Sequence, residues 1–358
     1  MNLLVSYHLP DKRVRYQINT DLVLQTLVDA NFQKIYVIDP HRRCRVSDDK
    51  LEFLDIYDGQ VVIPDNCLVF AAFYQDIDTF LDACGQSANR KIISVWHGIP
   101  IRCINLLDKV ESSMPVFEKA QAKKDFLFHL VSSDFINEVT TASWNAKPEN
   151  VITIGNIRKL SRPKSILWPH SEKDKVVIFC PSNAAGEFFN SVSARLGLTT
   201  DDDELDALLS EHEITLYHKS HGQASEIEVG RRSNIRDLPE SLLDFYSIEL
   251  NHLFEQIDLM ISDCSSLMVD FLDFGKPVIF SSPTQQYLSR HDFNFDPGLL
   301  YGRCPTNAAE LVSQINQKLG ARSLDRHSEL LRQTLGSANI DDTSAEFLNV
   351  INMIYEAD

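Results

Sequence analysis

The sequence predicts an α/β protein built from two βα domains. Three observations carry this. Short apolar, β-rich runs alternate with longer stretches whose apolar residues recur at helical spacing, the rhythm of parallel βα units. Residues 157–175, "IRKLSRPKSILWPHSEKDK", break that rhythm with two prolines and many charges, after which it restarts. The chain of 358 residues is also longer than one hydrophobic core usually covers. The expected division is 1–165, 166–340 and a final amphipathic helix over 341–358.

In the first domain the strand candidates are "NLLVSYH" (2–8), "KIYVIDP" (34–40), "CLVFAAF" (67–73), "KIISVWHG" (91–98), "FLFHLVSSD" (126–134) and "VITIGN" (151–156). Each is a short apolar run rich in β-branched and aromatic residues. "DLVLQTLVDANF" (21–32) places apolar residues on one helical face. In the second domain "VVIFCPSN" (176–183), "EITLYHKS" (213–220), "LMISDCSS" (259–266) and "PVIFSSP" (277–283) are strands that end in small or polar residues. Helices are expected over 204–211, 242–257, 265–275 and 308–319, and "SAEFLNVINMIYEA" (344–357) closes the chain.

Composition narrows the functions. A net charge of −17 argues against nucleic-acid binding through a general basic surface and against simple electrostatic docking to an anionic membrane. No apolar run approaches the roughly 20 residues that span a bilayer. The N-terminus lacks a basic region and a cleavage site, so it reads as a strand, not a signal peptide. Seven scattered cysteines without a C-x-x-C pair indicate reduced thiols in a cytosolic protein, with Cys67 and Cys180 in the core. "DDDE" (201–204) reads as a solvated helix start more readily than as a metal site.

The polar residues with chemical potential stand at strand ends, where open α/β sheets bind ligands. In "VWHGIP" (95–100), His97 follows a buried strand and Gly98 removes side-chain bulk beside it. That imidazole suits proton transfer near neutral pH; its alternative is to hydrogen-bond a turn. In "LYHKSHG" (216–222), His218, Lys219 and His221 follow a strand; the pairing of imidazole and ammonium suits an anion such as phosphate, and a solvated loop is the alternative. In "ISDCSSLMVDFLDFGKP" (261–277) a strand ends at Asp263, and Ser265 or Ser266 begins a helix whose free amides suit phosphate, unless the serines are ordinary caps. "PSNAAG" (181–186) offers space and backbone amides.

Together these segments resemble one family. "SVWHGIPIR" is similar to a W-H-G-T-P segment, "VITIGNIR" to G-x-P-R, "VVIFCPSN" to a strand ending P-T-W, and "ITLYHKS" to a strand carrying a second His before Pro. "LMISDCSSLMVDFLDFGKPVIF" is similar to I-T-D-Y-S-S with its Asp-containing helix and K-P; "LVSSDF" and "RHDFNFDP" also correspond. The family is the CDP-glycerol glycerophosphotransferases, the polyol-phosphate transferases of teichoic acids and related capsules. The match runs in order over roughly residues 90 to 300. Ile99, Ile157, Ser182-Asn183 and Lys219 replace the family's Thr, Pro, Thr-Trp and Pro.

The resemblance implies a GT-B-like architecture, two Rossmann-like domains facing each other across a cleft, with acceptor on the N-terminal side and CDP-polyol on the C-terminal side. It implies attack of an acceptor hydroxyl on the β-phosphorus with loss of CMP. His97 and His218 map onto the two essential histidines: His97 as general base, His218 on the transferring phosphate. Gly98, Ser182, Asn183, Lys219, Asp263, Ser265, Ser266 and Asp270 fall on the donor side, Asp263 and Asp270 as ribose or structural contacts. Arg158 falls on the acceptor side. No resident metal is required, although Mg²⁺ can travel with the nucleotide. The acceptor is a glycan or polyol-phosphate chain, soluble or lipid-linked, and the protein is expected in the cytoplasm, with room for peripheral contact with the inner membrane face. The rival readings are a GT-B glycosyltransferase using a nucleotide sugar and a non-catalytic scaffold in a capsule assembly complex.

Overall fold

The computed structural model describes residues 1–7, 18–32, 34–39, 44–54, 66–72, 90–95, 99–100, 104–107, 126–160, 174–182, 189, 191–219, 232–238, 243, 250–263, 265–281, 293–294, 304–336 and 342–356. Two units emerge from the chain's internal contacts: Met1–Ile99 with Ile104–Ser161 and Ser337–Asp358, and Pro100–Cys103 with Arg162–Gly336.

In the N-terminal unit, strand β1 (Asn2–Ser6) forms where Leu3, Leu4 and Val5 follow one another, all fully buried. Continuous apolar runs of this kind belong to strands covered on both faces. With β2 (Ile35–Ile38), β3 (Leu51–Leu54), β4 (Cys67–Ala71), β5 (Lys91–Ser94), β6 (Leu127–Val131) and β7 (Val151–Thr153) it builds a seven-stranded sheet in the order β3-β2-β1-β4-β5-β6-β7. Every pairing is parallel. The winding direction reverses between β1 and β4.

Helix α1 (Ile18–Asp29) buries Val23, Leu24 and Leu27 against one face of that sheet. It stops at Asn31, whose φ of 64° is a left-handed conformation that asparagine tolerates. Helix α2 (Asp134–Trp144) begins at Ser133, whose hydroxyl accepts the Ile136 amide at 3.3 Å, and ends at Asn145 in the left-handed region. The paired serines of "LVSSD" thus end a strand and cap a helix within two residues.

The C-terminal unit repeats the plan. Strands β8 (Lys175–Phe179), β9 (Ile214–His218), β10 (Ile235–Asp237), β11 (Leu259–Ser262) and β12 (Val278–Phe280) form a parallel sheet in the order β10-β9-β8-β11-β12, with the reversal between β8 and β11. Its core packs Val177, Phe179, Leu216 and Ile261 against helices α3 (Val192–Leu196), α4 (Asp202–Glu211) and α6 (Ala308–Gly320). Between β11 and β12 lies α5 (Leu267–Asp273), and α7 (Arg326–Leu335) packs against it. The final helix α8 (Thr343–Glu356) belongs to the N-terminal unit, where Phe347, Val350, Ile351 and Ile354 join the core around β1 and α1. Lys91 donates to the Ile354 carbonyl at 2.7 Å and ties β5 to that helix.

The parallel α/β architecture agrees with the expectation. Its details add to it: β3, β10, α2, α3 and α7 arise where no element was expected, and of the described residues in the helix expected over 242–257, Leu243 is α-helical and Leu250–Gln256 form a 3₁₀ helix. The "DDDE" run is a helix start. Asp201 caps α4 by accepting the amides of Asp203 and Glu204, while buried Asp202 accepts those of Val192 and Ser193.

Candidate active site

The C-terminal unit collects its polar side chains at the carboxyl ends of its strands. Ser182 follows β8 and Asp263 follows β11, so they stand on either side of the reversal point, where doubly wound sheets open a ligand crevice. Asp263 Oδ1 accepts the Ser182 amide at 2.6 Å and Oδ2 accepts the Ser182 hydroxyl at 2.8 Å. Arg195, on α3, donates to Asp263 Oδ2 at 3.0 Å and to the Ser182 carbonyl at 2.9 Å. All three residues are buried. A buried carboxylate is tolerable because the guanidinium and the two donors of Ser182 compensate it. Of the two roles expected of Asp263, ribose contact and structural contact, this geometry carries the structural one.

Two further bonds brace the same place: Ser262 donates to the Cys180 carbonyl at 2.7 Å, and the Cys180 amide donates to the Ile261 carbonyl at 2.9 Å. Burial pushes the Cys180 thiol up to about 12, so this cysteine is an inert packing group. The same cause takes Cys67 to about 12.

His218 ends β9 and is 1% exposed. Its Nδ1 lies 3.2 Å from Asp237 Oδ1, and its ring centroid is 5.7 Å from that of Phe179. Half-buried Lys219 follows, its amide bonded to the Phe179 carbonyl at 2.9 Å. Thus β8 and β9 bring His218 and Lys219 to the edge from which Ser182 rises.

Ser265 and Ser266 precede α5, but neither is a standard cap. Ser266 occupies the N-cap position in a helical conformation and makes no side-chain cap bond, whereas the Leu267 amide reaches Ser265 Oγ at 3.4 Å. Asp270 is buried within α5. In the other unit Arg158 sits in a 3₁₀ turn (Ile157–Leu160), its amide held by Asn156 Oδ1 at 3.0 Å. His97, Gly98, Asn183 and His221 lie outside the described residues.

The structure therefore joins Ser182 to Asp263 directly and sets His218 and Lys219 on the neighbouring strand. It adds two residues that reading the sequence missed, Arg195 and Asp237. Arg195 lies 68 residues from its carboxylate partner, and nothing local marks it. Asp237 ends "NIRD" (234–237), which holds one apolar residue and gives no strand signal.

Among the described residues no group of three or more His, Cys, Asp or Glu side chains could hold a metal ion, and no helix is long and apolar enough to cross a membrane.

Comparison with known proteins extends these observations. The family model for CDP-Glycerol:Poly(glycerophosphate) glycerophosphotransferase matches residues 65–335, well over half of the chain. Among solved structures, a variant of the wall teichoic acid polymerase TagF superposes with a TM-score of 0.67 at 12% identity, covering 99% of this chain and 88% of that one. Another TagF variant, soaked with CDPG, gives 0.65 at 12% identity over the same shares. A putative UDP-N-acetylglucosamine 2-epimerase from Listeria monocytogenes gives 0.60 at 13% identity, covering 100% of this chain and 97% of that one. At these identities the likeness is one of fold. No curated protein matches significantly.

Proposed function

This chain belongs to the CDP-glycerol:poly(glycerophosphate) glycerophosphotransferase family, and from that premise we propose that it moves glycerol phosphate from CDP-glycerol to a hydroxyl of a glycan or polyol-phosphate chain. CMP leaves, and the product is a teichoic-acid-like or capsular polymer. The observation that carries this reading is the family match, which runs across both His97 and His218. The soaking of CDPG into a fold relative supports the donor.

In this reading the acceptor oxygen forms a bond to the β-phosphorus while the bond from that phosphorus to the bridging oxygen breaks. CMP departs with the bridging oxygen, and the hydroxyl proton passes to His97. Proton transfer by a positioned base is worth about 10²- to 10⁴-fold. His218 and Lys219 meet the charge on the phosphoryl oxygens, where fixed donors act most strongly. Because His218 is 1% exposed, this role requires its Nε2 to become accessible as the donor enters. Ser265 and Ser266 hold the pyrophosphate, Ser182 and Asn183 shape the loop beside it, and Gly98 leaves room for the substrate. The buried Asp263–Arg195 pair keeps that edge in place. Arg158 binds phosphate on the acceptor. The reading requires no resident metal, although Mg²⁺ can travel with the nucleotide, and the reaction takes place in the cytoplasm, where the acceptor is free or lipid-linked at the membrane face.

The test is turnover of the purified chain with CDP-glycerol, CDP-ribitol and a UDP-sugar in parallel. Consumption of CDP-glycerol with acceptor supports the reading, and consumption of the UDP-sugar alone contradicts it.

A further inference from the structure

His218 is the last residue of β9 and Asp237 the last of β10, and they are register partners across a parallel pair. Register partners project to the same face, so the carboxylate reaches the imidazole from the adjacent strand, 3.2 Å from Oδ1 to Nδ1. On the other side, Phe179 ends β8 in register with His218 and sets its ring 5.7 Å from the imidazole at 40°. The imidazole is therefore held from both neighbouring strands.

We infer that Asp237 is a positioning residue, which accepts the Nδ1 proton of His218 and holds the ring so that Nε2, once it takes up a proton, donates to the phosphate. This rests on the role given to His218 above. A carboxylate only accepts hydrogen bonds, so the shared proton belongs to Nδ1. When the ring is protonated, Nε2–H can donate to a phosphoryl oxygen while Asp237 balances the imidazolium charge. The exposure of the two partners separates this task from a structural one. His218 is 1% and Asp237 48% exposed at the side chain, so replacing the solvent-open carboxylate by a side chain that still bonds Nδ1 strands no buried charge. Losing the carboxylate should alter the ring's tautomer and the rate while leaving the fold intact.

The experiment uses the full chain labelled with ¹⁵N-histidine. Long-range ¹H–¹⁵N spectra report which ring nitrogen carries the proton, and His218→Gln identifies the signal. The native chain is expected to show the Nδ1–H pattern. Asp237→Asn, whose amide can donate to Nδ1, is expected to shift His218 towards the Nε2–H form and to lower kcat about 10²-fold or more, while KM for CDP-glycerol changes by less than about threefold. Asp237→Glu should recover part of kcat, and the melting temperature of Asp237→Asn should stay near native. An Nε2–H pattern in the native chain, or native kcat in Asp237→Asn, overturns the inference. Full turnover by His218→Ala sinks the role given to His218 and with it any catalytic part for Asp237; the spectra still decide separately whether Asp237 sets the tautomer.

Discussion

Asp263 takes both polar hydrogens of Ser182, the amide at 2.6 Å and the hydroxyl at 2.8 Å, and so bridges β8 and β11 at the point where the second sheet reverses direction. Arg195 neutralises the pair from α3. The family motif has threonine where this chain has Ser182, so the position retains a hydroxyl.

Removing Arg195 strands a buried charge. Arg195→Met is expected to cost about 3–5 kcal/mol, because breaking a buried pair leaves its partner uncompensated. Ser182→Ala should cost less, about 1–3 kcal/mol, since Asp263 keeps the amide and the guanidinium. Urea unfolding of the two variants measures both; equal losses would mean that the guanidinium is not what compensates Asp263.

His129 gives the N-terminal unit an acid limb. It lies buried on β6, its ring 4.9 Å from that of Trp144, and burial takes its pKa down to about 3 from 6.5. The folded chain resists protonating it, whereas the unfolded chain binds a proton below about 6.5. Stability from the neutral ring is therefore full above that pH and falls as the pH drops towards 3, by several kcal/mol at most, roughly 1.4 per pH unit. His129→Phe keeps an aromatic ring beside Trp144 and should flatten this limb, followed by Trp fluorescence in urea at pH 7, 5.5 and 4.

Asp21 acts in the opposite direction. Burial raises its pKa from 3.8 to about 6, outweighing the hydrogen bond it accepts from Tyr7. The protonated acid suits the fold, so its contribution is present below about 3.8 and lost as the pH rises through 6. Asp21→Asn keeps an acceptor for Tyr7 without the charge. It should raise stability at pH 8 by up to about 3 kcal/mol and change it little at pH 3.5. An equal gain at both pH values would assign the effect to something other than the charge.

Gly336 ends α7 against Asp273, and a β-carbon there would run into the Asp273 carboxylate and lie 2.7 Å from the Arg332 carbonyl. Because the carbonyl is backbone, rotating Asp273 cannot relieve the contact. Gly336→Ala is expected to lower stability by about 1–3 kcal/mol, and Asp273→Ala in the same chain should recover only part of it. Thermal unfolding of the single and double variants decides this.

Long apolar runs were the most legible part of the sequence. Residues 2–6, 175–179 and 214–218 are strands that one run of buried side chains dictates. Of the four outer strands, β7 and β12 were legible as apolar runs, whereas β3 and β10 were not. β3 is "LEFL", with Phe53 57% exposed, and β10 has only three residues, so neither shows the apolar continuity of a central strand. Helix α3 spans five residues, too few for a periodic signal. In the candidate site, residues that end strands stood out because strand ends are local features. Arg195 did not, since its value comes from a partner 68 residues away, and Asp237 did not, since the three-residue strand it ends was itself not legible. The serines before α5 were found, but their identity alone did not show that Ser266 takes a helical conformation and makes no side-chain cap bond.

The most direct test of the central claim is ³¹P NMR of the full chain with CDP-glycerol and a glycerol-phosphate-primed acceptor, native beside His218→Ala and His97→Ala. The account predicts CMP and a new phosphodiester resonance appearing together and only with acceptor, with both variants slower by about 10²-fold or more. CDP-glycerol left intact by a folded native chain that consumes a nucleotide sugar, or CMP released at the same rate without acceptor, would contradict it.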